Sequence, residues 1–117
     1  MDELLKLKAV VRFLRNELSS DLQLQTLHTL LAIATSSEPK DNKSLEKELG
    51  QVSQAAISRN VRNLGTIMVK QKDGSHQKAG YGLIDTRPDL YETRRLASEL
   101  NDDGKKLIAK LRKILKK

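Results

Sequence analysis

The sequence predicts a mostly α-helical chain with a small β-hairpin, arranged as a winged helix-turn-helix. Three observations predict it. Residues 44–64 (SLEKELGQVSQAAISRNVRNL) read as two short helices joined by a tight turn at Gly50. Residues 83–87 and 94–100 read as two short strands separated by a turn-forming run that contains Pro88 and Asp89. Leucine-rich amphipathic helices stand at both ends, over residues 2–19 and 101–117.

The chain has 117 residues, enough for one domain with a modest core. Only Phe13, Tyr81 and Tyr91 are aromatic, so aliphatic side chains must fill that core, which suits helices. With no cysteine there is neither a disulfide framework nor a thiolate metal site. No unbroken apolar run approaches the length of a membrane span, and residues 1–19 mix acids and bases through their apolar positions. These features imply no membrane partner, no secretion signal and a cytoplasmic location. The net charge of +7 lies entirely beyond residue 40, where 17 bases face 10 acids. Such an imbalance suits a polyanion-facing side, with nucleic acid the first candidate.

In the first helix Leu4, Leu7, Val11, Leu14 and Leu18 form one stripe, and Asp2 and Glu3 begin it where the macrodipole favours acids. Ser20 or Asp21 is expected to open the second helix, with Gln23 completing a capping box after Ser20. From Leu22 to Ala34 that helix is apolar on most sides, Leu24 included, and reads as the buried centre of the fold. His28 within it has no cysteine or acid at ligand spacing, so it reads as a half-buried structural histidine. Residues 35–42 read as a loop broken by Pro39. Ser44 is expected to cap the third helix, Gly50 to end it, and Ser53 to cap the fourth.

In the fourth helix Ile57, Val61 and Leu64 share one face, which leaves Gln54, Ala55, Ser58, Arg59 and Arg62 on the other. A second helix of this kind can lie in a DNA major groove. Arginine and glutamine can then bond guanine and adenine edges bidentately. Gln54, Ser58, Arg59 and Arg62 are accordingly the base-readout candidates, and small Ala55 permits close approach. Either arginine alone would read as merely solvated; their joint placement opposite the apolar face carries the argument. The tract at residues 65–82 holds four glycines, three lysines and one acid, and reads as an exposed basic loop or small hairpin turning at Asp73-Gly74. His76 within it reads as a solvated surface residue. Ser53, Lys70, Lys72, Lys78, Arg87, Arg94 and Arg95 are the candidates for phosphate or minor-groove contact.

Asn101 should cap the last helix, with Asp102 and Asp103 in its first turn and Leu107, Leu111 and Ile114 as its stripe. Together with Leu4, Leu7, Val11 and Leu14, that stripe offers more apolar surface than one small core needs. A homodimer built from the first and last helices is therefore expected.

The order of these elements resembles the MarR family of winged-helix transcriptional regulators. SQAAISRNVRNL (residues 53–64) is similar to the family's recognition helix, with Ser58-Arg59 in the place of its serine-arginine pair. Gly82-Leu83-Ile84 resembles the approach to its wing, and Arg87, Pro88, Asp89 and Arg94-Arg95 its arginine-rich wing. Leu100-Asn101-Asp102-Asp103-Gly104 resembles the Leu-Thr-x-x-Gly that starts its terminal helix. Against the family pattern, the segment 65–81 is longer by roughly a dozen residues and the terminal helix is short. The resemblance implies a dimeric regulator binding pseudo-palindromic duplex DNA, a repressor in the first instance. It also admits a small-molecule effector, for which no residue here speaks.

Two other functions fit the same residues: a winged-helix replication or partition protein, and a protein-interaction adaptor without specific DNA readout. Steep weakening of binding with salt would separate DNA binding from the adaptor. An enzyme is not expected. The only histidines are His28 and His76, and there is no phosphate-binding glycine motif. Glu46 and Glu48, two residues apart, do not share a helix face. No cofactor and no metal site are expected.

Overall fold

The computed structural model describes residues 2–89 and 95–117. Five helices and five strands are described in the order α1 (Glu3–Glu17), α2 (Leu24–Ala34), β1 (Lys40–Asp41), α3 (Asn42–Leu49), α4 (Gln54–Leu64), β2 (Ile67–Lys70), β3 (His76–Ala79), β4 (Ile84–Pro88), β5 (Leu96–Leu100) and α5 (Asp102–Lys116). This is the mostly helical winged helix-turn-helix that the sequence predicts.

Helices α2, α3 and α4 pack on one another, and α1 packs against α5. Leu14, Leu30, Leu45, Ile57 and Leu64 are the largest fully buried apolar side chains and tie these elements into one core. In α2 the buried side consists of Thr26, Thr29, Leu30, Ala32 and Ile33. Leu24 is 82% exposed and His28 is exposed, which corrects two expectations. The helix is amphipathic, and both residues fall on its outer side.

Helix starts also differ from expectation. The first residue of α2 is Leu24, preceded by Gln23 without a side-chain cap. Ser19 instead accepts the Asp21 N–H at 3.1 Å, a local turn that spends the capping chemistry before the helix begins. Helix α3 starts two residues ahead of Ser44, because Asp41 Oδ1 accepts the Ser44 N–H at 2.7 Å. Ser53 and Asn101 cap as expected, accepting the N–H groups of Ala56 at 3.1 Å and Gly104 at 2.9 Å. Between α3 and α4 the left-handed turn takes two residues, Gly50 (φ 66°) and Gln51 (φ 51°).

The wing sheet has the order β1-β5-β4, all antiparallel. Its third strand falls in the segment expected to be a loop: Lys40 pairs with Ser98 and Asp41 with Ala97. Ser98 is fully buried, and its hydroxyl bonds that of Thr86 at 2.9 Å across the β4–β5 pair. Lys40 also makes an ion pair with Glu48, so the short strand is fastened to α3.

Strands β2 and β3 form a separate hairpin, with Ile67 opposite Ala79 and Lys70 opposite His76. Its turn is closed by Asp73, which accepts the Ser75 N–H at 2.9 Å, and by Gly74 at φ 88°. His76 is exposed, as its polar setting implied. Tyr81 N–H donates to Asn63 O at 2.8 Å, Gly82 N–H to Gly65 O at 2.9 Å, and Leu83 N–H to Leu64 O at 2.8 Å. These bonds bring the chain back to the end of α4 before the wing starts. The wing therefore begins beside the end of α4.

Candidate nucleic-acid interface

Ser53 closes the start of α4 and stays exposed, leaving that end of the helix open to an approaching phosphate. Along the helix, Ala56, Ile57, Asn60, Val61 and Leu64 are buried. Gln54, Ala55, Arg59 and Arg62 are exposed, and Ser58 is half-buried at the edge. A 3.6-residue period separates the two sets cleanly. Arg59 and Arg62 are one turn apart on the outer side and form no ion pair among those described. Two cationic forks are thus presented to solvent on a helix fixed from behind.

The fixing is partly polar, a feature that periodicity alone did not single out. Asn60, 5% exposed, accepts from Thr26 Oγ1 at 3.2 Å through its Oδ1. Its Nδ2 donates to Gln25 Oε1 at 3.1 Å and Thr29 Oγ1 at 3.3 Å. One buried amide therefore bridges α4 to three side chains of α2. The signal available in the sequence was an asparagine within the Ile57–Val61–Leu64 stripe, facing a helix whose buried side holds two threonines.

A groove runs between α4 and the two hairpins, lined among others by Ser58, Arg62, Met68, Thr86 and Leu96. Ser58 and Arg62 thus meet the base of β2–β3 and the wing at one place. Arg87 lies on β4, exposed, with Asp85 at 3.8 Å. Arg95 sits at the foot of β5, 3.7 Å from Asp41 Oδ2. Burial, the largest effect on the Asp41 carboxyl, raises its pKa. The Ser44 amide and hydroxyl and the Arg95 charge together outweigh it, holding the group below the usual carboxylate range. Arg95 thereby links the wing to the cap of α3. Arg94 lies outside the described residues. Lys70, Lys72 and Lys78 are all exposed on the β2–β3 hairpin.

The proposed dimer stripe divides in two. Leu14 (1% exposed), Leu107 and Leu111 are buried in the chain's own core, because α1 and α5 pack on each other. Ile114 is half-buried against that core. Leu4 (72% exposed), Leu7 and Val11 remain outside, with Leu5 beside them. Among the described residues no group of three histidine or acidic side chains is placed to hold a metal ion, and no helix is long and apolar enough to cross a membrane.

No protein-family model and no curated protein sequence matches the chain. Solved structures do match it. The DNA complex of S. aureus MepR has a TM-score of 0.69 at 21% identity, over 97% of this chain and 78% of that one. MarR has a TM-score of 0.61 at 20% identity, over 97% of this chain and 72% of that one. The PcaV transcriptional regulator from Streptomyces coelicolor has a TM-score of 0.59 at 18% identity, over 96% and 71%. The chain shares the fold of these proteins.

Proposed function

We propose that this chain is a sequence-specific, double-stranded DNA-binding transcriptional regulator, a repressor that works as a homodimer on a pseudo-palindromic site. The observation that carries the reading is the two-sided α4, buried through Ile57, Asn60, Val61 and Leu64 and open through Gln54, Arg59 and Arg62. A DNA-bound protein of the same fold supports it. In this reading Arg59 and Arg62 bond guanine edges, Gln54 an adenine edge, and Ser58 a thymine edge or phosphate. Ser53, Arg87, Arg94 and Arg95, with the lysines of β2–β3, hold the sugar-phosphate backbone and fix register. Arg95 does so from its station beside Asp41.

Arg59→Ala is expected to leave the fold intact, since its side chain is exposed. It should remove about 1–3 kcal/mol of discrimination between the preferred site and random DNA. Selection of bound duplexes from a random pool, followed by titration of both proteins at several salt concentrations, measures this. If no sequence enriches and the variant matches the parent at every salt, the chain is an adaptor that works through protein contacts.

The dimer would rest on the exposed part of α1, Leu4, Leu7 and Val11. A two-fold pairing there would set two recognition helices on half-sites about 34 Å apart. Sedimentation equilibrium at tens of micromolar should show twice the mass of one chain, and Leu4→Glu with Leu7→Glu should return it to one. A monomer in the parent protein rules the pairing out.

A further inference from the structure

Hairpin β2–β3 is an excursion that a helix-turn-helix does not require. It leaves from Gly65 and returns at Gly82, and those residues share a 2.9 Å backbone hydrogen bond. Its register sorts its side chains. Met68 stands opposite Lys78 and Lys70 opposite His76, so these four share one face. Ile67, Val69, Gln77 and Ala79 share the other, with Ile67 and Ala79 half-buried at the base. Lys72 lies in the turn, and the tract's one acid, Asp73, is engaged there with Ser75.

The base of the hairpin adjoins α4. Ile67 and Met68, one from each face, line the same groove as Ser58 and Arg62. Four-residue strands at about 3.3 Å per residue reach about 13 Å from this base, against a major groove about 12 Å wide. A helix seated in the groove would therefore carry the hairpin out to the bordering phosphates.

We infer that β2–β3 is a second DNA-contacting arm, distinct from the wing. Lys70 and Lys78 lie along the phosphate backbone beside the groove that α4 enters, and Lys72 extends the contact at the tip. No side chain of the arm reads a base. It lengthens the footprint and raises affinity for any duplex. The inference rests on the DNA-binding reading above.

Two variants of the full chain test it. One is the triple substitution Lys70→Gln, Lys72→Gln, Lys78→Gln, which keeps the arm. The other replaces residues 68–78 by Asn-Gly, a two-residue turn between the register partners Ile67 and Ala79. Each is titrated with the duplex enriched by selection and with a random-sequence duplex, over a range of salt. Three lost phosphate contacts should reduce the slope of log affinity against log salt by about 2–3. Both variants should weaken both duplexes by similar factors. If the parent binds and neither variant changes the slope, the arm inference falls and the DNA-binding reading stands. If only the truncation weakens binding, the lysines do not hold phosphate and the inference also falls. A parent that binds neither duplex at any salt overturns the DNA-binding reading and the arm with it.

Discussion

Replacing Asn60 by alanine is expected to destabilise the chain by about 2–4 kcal/mol and, under the proposed DNA-binding function, to soften discrimination between duplexes at the same time. The amide is buried at 5% exposure and takes part in three side-chain hydrogen bonds to α2. Its loss removes those bonds and leaves a small void. It also leaves the Thr26 hydroxyl, itself 5% exposed, without the acceptor it uses. Thr29 suffers less, because its hydroxyl still donates to Gln25 O at 2.9 Å. The second half of the expectation concerns orientation. Apolar contacts through Ile57, Val61 and Leu64 hold α4 against the core but tolerate small rotations about its axis. The amide network has direction, and it fixes which side chains point outward. Urea denaturation of Asn60→Ala beside Asn63→Ala checks the first half, since Asn63 is exposed and its loss should stay within about 0.5 kcal/mol. Equal stability of the two variants would show that the network does not hold the helix. Titration against preferred and random duplexes checks the second half.

Gly104→Ala is expected to destabilise by about 2–4 kcal/mol, the reverse of what helix propensity alone predicts. In an ordinary exposed helix position alanine is better than glycine by about 1 kcal/mol. Here a Cβ at Gly104 would lie 2.1 Å from Leu83 O and 3.0 Å from Leu100 Cδ2. A carbonyl cannot rotate aside as the end of a side chain can, and this one already accepts the Asn101 N–H at 3.0 Å. Asn101 adds a further tie, donating its Nδ2 to Gly82 O at 2.9 Å. Start of α5 and approach to the wing are thus pressed together, and a methyl group must part them. Thermal melting with a chemical-denaturation cross-check measures the loss. A melting point at or above that of the parent would mean that the close approach is absent in solution.

What could be read from the sequence was what periodicity and capping chemistry encode. The outward and inward sides of α4 follow from residue spacing alone, and so does the cap at Ser53. The two short strands of the wing are legible in the sequence, and the glycine-rich tract reads as a loop or hairpin. Other features depend on partners that a linear pattern does not contain. Strand β1 is only Lys40 and Asp41, and it is a strand because Ala97 and Ser98 pair with it. Asp41 and Ser44 are both good caps. Asp41 takes the role in a position where β5 and Arg95 also hold it. The leucines of α1 repeat evenly, yet α5 covers Leu14 and leaves Leu4 and Leu7 bare. Spacing shows that a stripe exists and is silent about what lies against it. Asn60 was hidden for a related reason: a polar residue in an apolar stripe acquires meaning only once its neighbours across the interface are known.

The bonds from Asn63, Leu64 and Gly65 back to Tyr81, Leu83 and Gly82 have a thermodynamic consequence. They make the intervening segment a loop whose two ends are already joined by the fold. Closing such a loop carries an entropy cost that grows only logarithmically with its length, about 0.6 kcal/mol for each doubling. Lengthening or shortening it is therefore nearly neutral for the stability of everything outside it. At the closure, however, little freedom exists: a Cβ on Gly80 would lie 2.3 Å from Gly65 O. The chain thus combines a rigid junction with a segment whose length is only weakly coupled to the stability of the helix that the junction closes.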